Sequence, residues 1–99
     1  MKKKIAINKN WTFFSNHGHA MILLYRYPNL TVREMALEVG ITERALISIL
    51  ADLHEYGCIS VKKSGRKNVY KIIGSLKLRH PIEAQLSLMQ LLELFARND

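Results

Sequence analysis

Five cations and no acid occupy the ten positions from 62 to 71: Lys62, Lys63, Arg66, Lys67 and Lys71, with Asn68 adding an amide. Side chains of this kind neutralise phosphates, as point charges from lysine and as a forked donor pair from arginine. A second group, Thr42, Glu43, Arg44, Ile47 and Ser48, has the functional groups that read base edges. Arg44 can fork onto a guanine, Glu43 can accept from a cytosine amino group, and Ile47 can meet a thymine methyl. Catalysis has no comparable support. There is no phosphate-binding Gly loop and no nucleophile elbow, and His17 with Glu83 is the only candidate proton-transfer pair, so no enzyme is expected.

The body that must hold these two groups is small. The chain has 99 residues, 48% of them hydrophobic and 23% charged, which fits one folded domain and excludes a two-domain enzyme. Fifteen Lys and Arg against eight Asp and Glu leave a net charge of +7, which draws polyanions. Cys58 is the only cysteine and can form neither an internal disulfide nor a cysteine zinc site, so a cytoplasmic location is expected. The start MKKKIAIN is broken by Asn8, Lys9 and Asn10 before it reaches the length of a signal-peptide core. The longest purely apolar run, residues 20–25, is far too short to cross a bilayer, so no membrane partner is expected.

Periodicity divides the chain into elements. Residues 1–10 hold Lys2, Lys3, Lys4 and Lys9 and read as a basic arm. Asn16 is placed to cap a helix with Ala20, Leu23, Leu24 and Tyr27 facing in, ended by Pro28 and Asn29. Thr31 and Glu34 form a capping-box pattern for a second helix to about Val39, with Met35, Ala36 and Val39 inward. Gly40 supplies a left-handed stop, Ile41 plugs the turn, and Thr42 caps a third helix whose inward stripe is Leu46, Ile49, Leu50 and Leu53. Gly57 ends it. The period then becomes two: Ile59 and Val61, a polar loop over 62–68 with Ser64-Gly65 for the turn, then Val69 and Ile72. Pro81, at a first helical position, predicts a last helix to about Arg97. Its apolar stripe is too broad for one contact, and Leu88, Leu92 and Phe95 are expected to face a second copy in a two-fold dimer.

The segment TVREMALEVGITERALISILADLHEYGCISVKKSGRKNVYKI resembles winged helix-turn-helix transcriptional regulators of the broad MarR and ArsR type. The flanking WTFFSNHGHAMILL and LRHPIEA resemble a small bacterial regulator family with such segments on either side of the wing. The resemblance covers roughly residues 11–90 and implies a mainly α fold with a small β-hairpin. That organisation has a basic arm over 1–10, a winged helix-turn-helix domain over 11–80 and a C-terminal dimerisation helix over 81–99. It implies a partner, double-stranded DNA. Residues 42–56 would enter the major groove, while the hairpin over 62–71 would touch the backbone or minor groove.

The third helix is poorly cationic for that role, since residues 33–55 carry five acids against two arginines. Phosphate contacts from wing and arm are therefore expected to supply most of the affinity. The rival expectation is a winged-helix protein-interaction or RNA-binding module. ArsR-type sensors can bind transition ions, which draws notice to His17, His19, His80 and Glu83. His80 and Glu83 are three apart as a ligand pair would be, but no aspartate stands near His17 in sequence and a thiolate pair is absent. The histidines are expected to hydrogen-bond helix ends, with no metal and no cofactor. Cys58 is expected to be packed, as are Trp11, Phe13 and Phe14.

Overall fold

Ser15, one position ahead of the expected Asn16, caps the first helix: its hydroxyl accepts from the Gly18 N–H at 3.3 Å. The computed structural model describes residues 11–96, so the basic arm over 1–10 lies outside the described residues. Helix α1 (Asn16–Arg26) buries Ala20, Met21 and Leu24, while Tyr27, expected inside, is 45% exposed. Helix α2 (Val32–Val39) begins with the reciprocal Thr31–Glu34 box. It ends at Gly40 with φ of 89°, a conformation that a Cβ disfavours. Helix α3 (Glu43–Tyr56) is capped by the Thr42 hydroxyl and buries Leu46, Ile49, Leu50 and Leu53. Met35 and Ala36 complete the contact between α2 and α3. The first three predicted helices match these elements; the α3 stripe is buried as expected, whereas Leu23 and Val39 are only half-buried and Tyr27 lies outside.

Gly57, at φ of 94°, turns the chain out of α3, and the Cys58 N–H donates to Leu53 at 2.8 Å. Strands β1 (Ile59–Ser64) and β2 (Lys67–Ile72) pair antiparallel from Ile59↔Ile72 to Ser64↔Lys67. The expected seven-residue loop over 62–68 is therefore mostly strand, and the turn is Gly65-Arg66. Gly65 has φ of 67° and Arg66 has no positive φ, the II′ pattern that suits the twist of a two-residue hairpin. The base of the hairpin is anchored by buried Ile59 and by the Ile73 N–H donating to Cys58 at 2.8 Å.

The expected long helix from Pro81 does not form. The chain instead doubles back: Lys77 bridges Ser87 antiparallel, Leu88 donates to Leu76 at 2.7 Å, and Met89 donates to Gly74 at 3.0 Å. Residues 80–86 turn between these arms, with the Ile82 N–H bonded to His80 Nδ1 at 3.1 Å. Helix α4 (Leu88–Leu92) starts only at a second capping box, Ser87 with Gln90, and a 3-10 turn (Glu93–Phe95) follows it. Leu88 and Leu92 are 5% and 1% exposed within this chain's own core, which corrects the expectation that they face a second copy. Phe95 likewise packs edge-on against Phe14, with ring centroids 5.8 Å apart. Phe13 and Trp11, expected to be packed, are 86% and 71% exposed. No helix among the described residues is long and apolar enough to cross a membrane.

Candidate nucleic-acid interface

The stripe of α3 that packs inward dictates which side chains stand opposite it. With Leu46, Ile49, Leu50 and Leu53 buried, helical geometry puts Arg44, Ile47, Ser48, Ala51 and Glu55 on the outer row, and all five are exposed. Thr42 and Glu43 lie at the exposed start of the helix, where the Thr42 hydroxyl holds the Ala45 N–H at 3.0 Å. Four of the five residues expected to read bases thus line the outer surface of the first two turns, and Thr42 caps them. Ile47 is 55% exposed.

The hairpin register divides the cations. Residues alternate between the two faces of a strand, so Ile59, Val61, Lys63, Asn68, Tyr70 and Ile72 share the face that grades into the core. Lys62, Lys67 and Lys71 share the other face with Ser60, Ser64 and Val69, and every one of these six is exposed. Each of the three lysines lies directly across from an uncharged residue: Lys62 from Val69, Lys67 from Ser64, Lys71 from Ser60. That arrangement avoids direct like-charge pairing and still leaves an outer face with three cations and no acid. Arg66 projects from the turn. From Gly57 to Ile82 the sequence has seven basic residues and no acid, so the field of the hairpin has no internal counter-charge.

The negative charges of α3 are distributed differently from what the sequence order suggests. Asp52 points toward α1, where its Oδ2 lies 2.8 Å from His17 Nε2. The aspartate missing from the neighbourhood of His17 in sequence is supplied by the fold, 35 positions away, and no local signal marks it. His19 Nδ1 lies 3.0 Å from the Asn16 side-chain oxygen at the start of α1, and His80 Nδ1 accepts from the Ile82 N–H in the turn that follows it. Among the described residues no three His, Cys, Asp or Glu side chains cluster as a metal-ligand group. Cys58 is half-buried, and burial pushes its thiol pKa up, an effect partly offset by the Arg79 guanidinium.

No family model matches the chain, and neither the curated proteins nor the solved structures contain a match.

Proposed function

We propose that the chain is a winged helix-turn-helix protein that binds double-stranded DNA and acts in the cytoplasm as a transcriptional regulator. In this reading α2 and α3 are the helix-turn-helix pair, joined through Gly40, and the β1–β2 hairpin is the wing. The outer row of α3, with Arg44, Ile47 and Ser48, enters the major groove. Glu43 and Thr42 lie at its leading end. Lys62, Lys63, Arg66, Lys67, Asn68 and Lys71 contact the backbone or the minor groove, and these contacts supply most of the affinity.

The observation that carries the reading is the pairing of an exposed helix row with an adjoining hairpin whose outer face carries three lysines and no acid. Both leave the same Leu53–Ile59 joint, which fixes one relative to the other. A homodimer is part of the proposal, because two copies would present two reading helices to two half-sites. With Leu88 and Leu92 buried, its apolar contacts fall to the exposed Ile82 and Leu94.

The exposed Ile47, one turn from Glu43 on a helix whose outer row also carries Glu55, favours a second reading, a winged-helix module that docks another protein through α3. Fluorescence anisotropy with random-sequence duplexes at several salt concentrations separates the two. DNA binding requires log affinity to fall steeply and linearly with log salt, and a protein-docking module shows negligible duplex affinity at moderate salt.

A further inference from the structure

A cleft of about 420 Å³ opens on the face formed by α1, the exit of α3 and the returning segment 76–92. Its volume is in the range of roughly 300–1,000 Å³ that holds small organic molecules. The floor consists of buried apolar side chains, Met21, Leu53, Leu88 and Leu92. Charge is confined to exposed residues of the lining: Lys77 and Arg79 against the single acid Glu83, with His17 already engaged by Asp52. The Arg79 guanidinium lies 4.5 Å over the Tyr56 ring, which holds it at the edge of the cleft. No carboxylate among the described residues pairs with it. Its field reaches inward, where it lowers the pKa of Cys58 against the effect of burial.

An apolar floor under a cationic rim suits one kind of occupant. A neutral hydrocarbon would leave Arg79 without an anionic partner, and a cation would be repelled by both Arg79 and Lys77. We propose that this cleft binds a small amphipathic carboxylate, with its hydrocarbon part against Met21, Leu53 and Leu92 and its carboxylate on the Arg79 guanidinium. Leu53, Tyr56 and Cys58 belong to the joint from which α3 and β1 diverge, so an occupant touches the residues that orient helix and hairpin. Any effect on DNA affinity rests on the function proposed above, whereas the binding itself does not.

The test uses the full chain labelled with ¹³C-methyl methionine, without DNA, and decanoate as the probe. Met21 lines the cleft and Met35, in α2, does not. Decanoate is expected to shift the Met21 methyl saturably and leave Met35 unmoved. Decylamine, with the same chain and the opposite charge, is expected to bind at least about tenfold more weakly. Arg79→Ala, at an exposed position, should weaken decanoate binding by a similar factor. Leu91→Trp, which fills the cleft from its lining, should abolish it.

Equal affinities for decanoate and decylamine would overturn the proposal, as would an unchanged affinity in the Arg79 variant or an unmoved Met21 at millimolar decanoate. A Met21 shift that follows protein concentration alone would mean that a second copy fills the cleft, and would overturn it as well. Since no DNA is present, failure here leaves the duplex-binding proposal standing, and the converse also holds.

Discussion

Replacing Lys62, Lys67 and Lys71 together by glutamine removes every charge from the outer face of the hairpin and leaves the inner face intact. All three are exposed and none contributes to the core, so the fold should retain its stability within about 0.5 kcal/mol. The effect on DNA follows from counterion release, in which each phosphate contact contributes about 0.9 to the slope of log affinity against log salt. Three lost contacts lower the slope by roughly 2.7 per protomer, which at 0.1 M salt corresponds to roughly 500-fold weaker binding. The control is Lys63→Gln with Asn68→Ala, a pair that lies across the same ladder on the opposite face. Removing one charge, the control should change the slope by no more than about 0.9. Anisotropy titrations from 50 to about 300 mM salt with one duplex read both slopes. The reasoning is refuted if the triple variant keeps the wild-type slope, or if the control changes it as much as the triple does.

Other consequences of the structure can be measured directly. Arg44→Ala should flatten sequence preference in a selection from random duplexes, and lower affinity for a non-specific duplex by less than the triple variant does. Gly74→Ala should destabilise the fold, because the added Cβ would meet Met89 Cβ at 2.8 Å, a contact that no rotamer change relieves. A cost of about 1–3 kcal/mol follows, and a drop in the thermal midpoint of roughly 4–8 °C per kcal/mol should appear by circular dichroism. Ser87→Ala removes the hydroxyl that accepts from Gln90 and should cost about 1 kcal/mol in urea unfolding. Leu92→Glu should unfold the chain, since Leu92 is 1% exposed and the new charge has no buried partner. A folded, soluble Leu92 variant would show that α4 does not pack as described.

The elements most legible in the sequence are those fixed by neighbours. Thr31 and Glu34 announce α2, Gly40 and Gly57 end α2 and α3, and the spacing of Leu46, Ile49, Leu50 and Leu53 orients α3. The outer row of α3 could be read by subtraction once that stripe was known. The C-terminal segment is not legible in the same way, because Ile82, Leu86 and Met89 have helical spacing and Pro81 suits a helix start. The decisive features there are the Lys77–Ser87 bridge and the close approach of Gly74 to Met89, both products of tertiary pairing. One local signal was available, the Ser87-x-x-Gln90 capping box, and it marks the true start of α4. The turn of the hairpin was displaced by one residue for a related reason. Ser64 and Gly65 both suit turns, and only the register pairs Ser64 with Lys67 and leaves Gly65-Arg66 at the tip. The His17–Asp52 contact joins two helices and leaves no trace in local spacing.

The account depends on α3 and the hairpin meeting DNA together. Backbone amide shifts of ¹⁵N-labelled protein, recorded as an unlabelled duplex is added at fixed salt, test this most directly. The account predicts that the largest changes fall within residues 43–48 and 62–71, with both sets saturating at the same DNA concentration. Changes confined to residues 82–95, or a helix that remains silent while the hairpin responds, would contradict it.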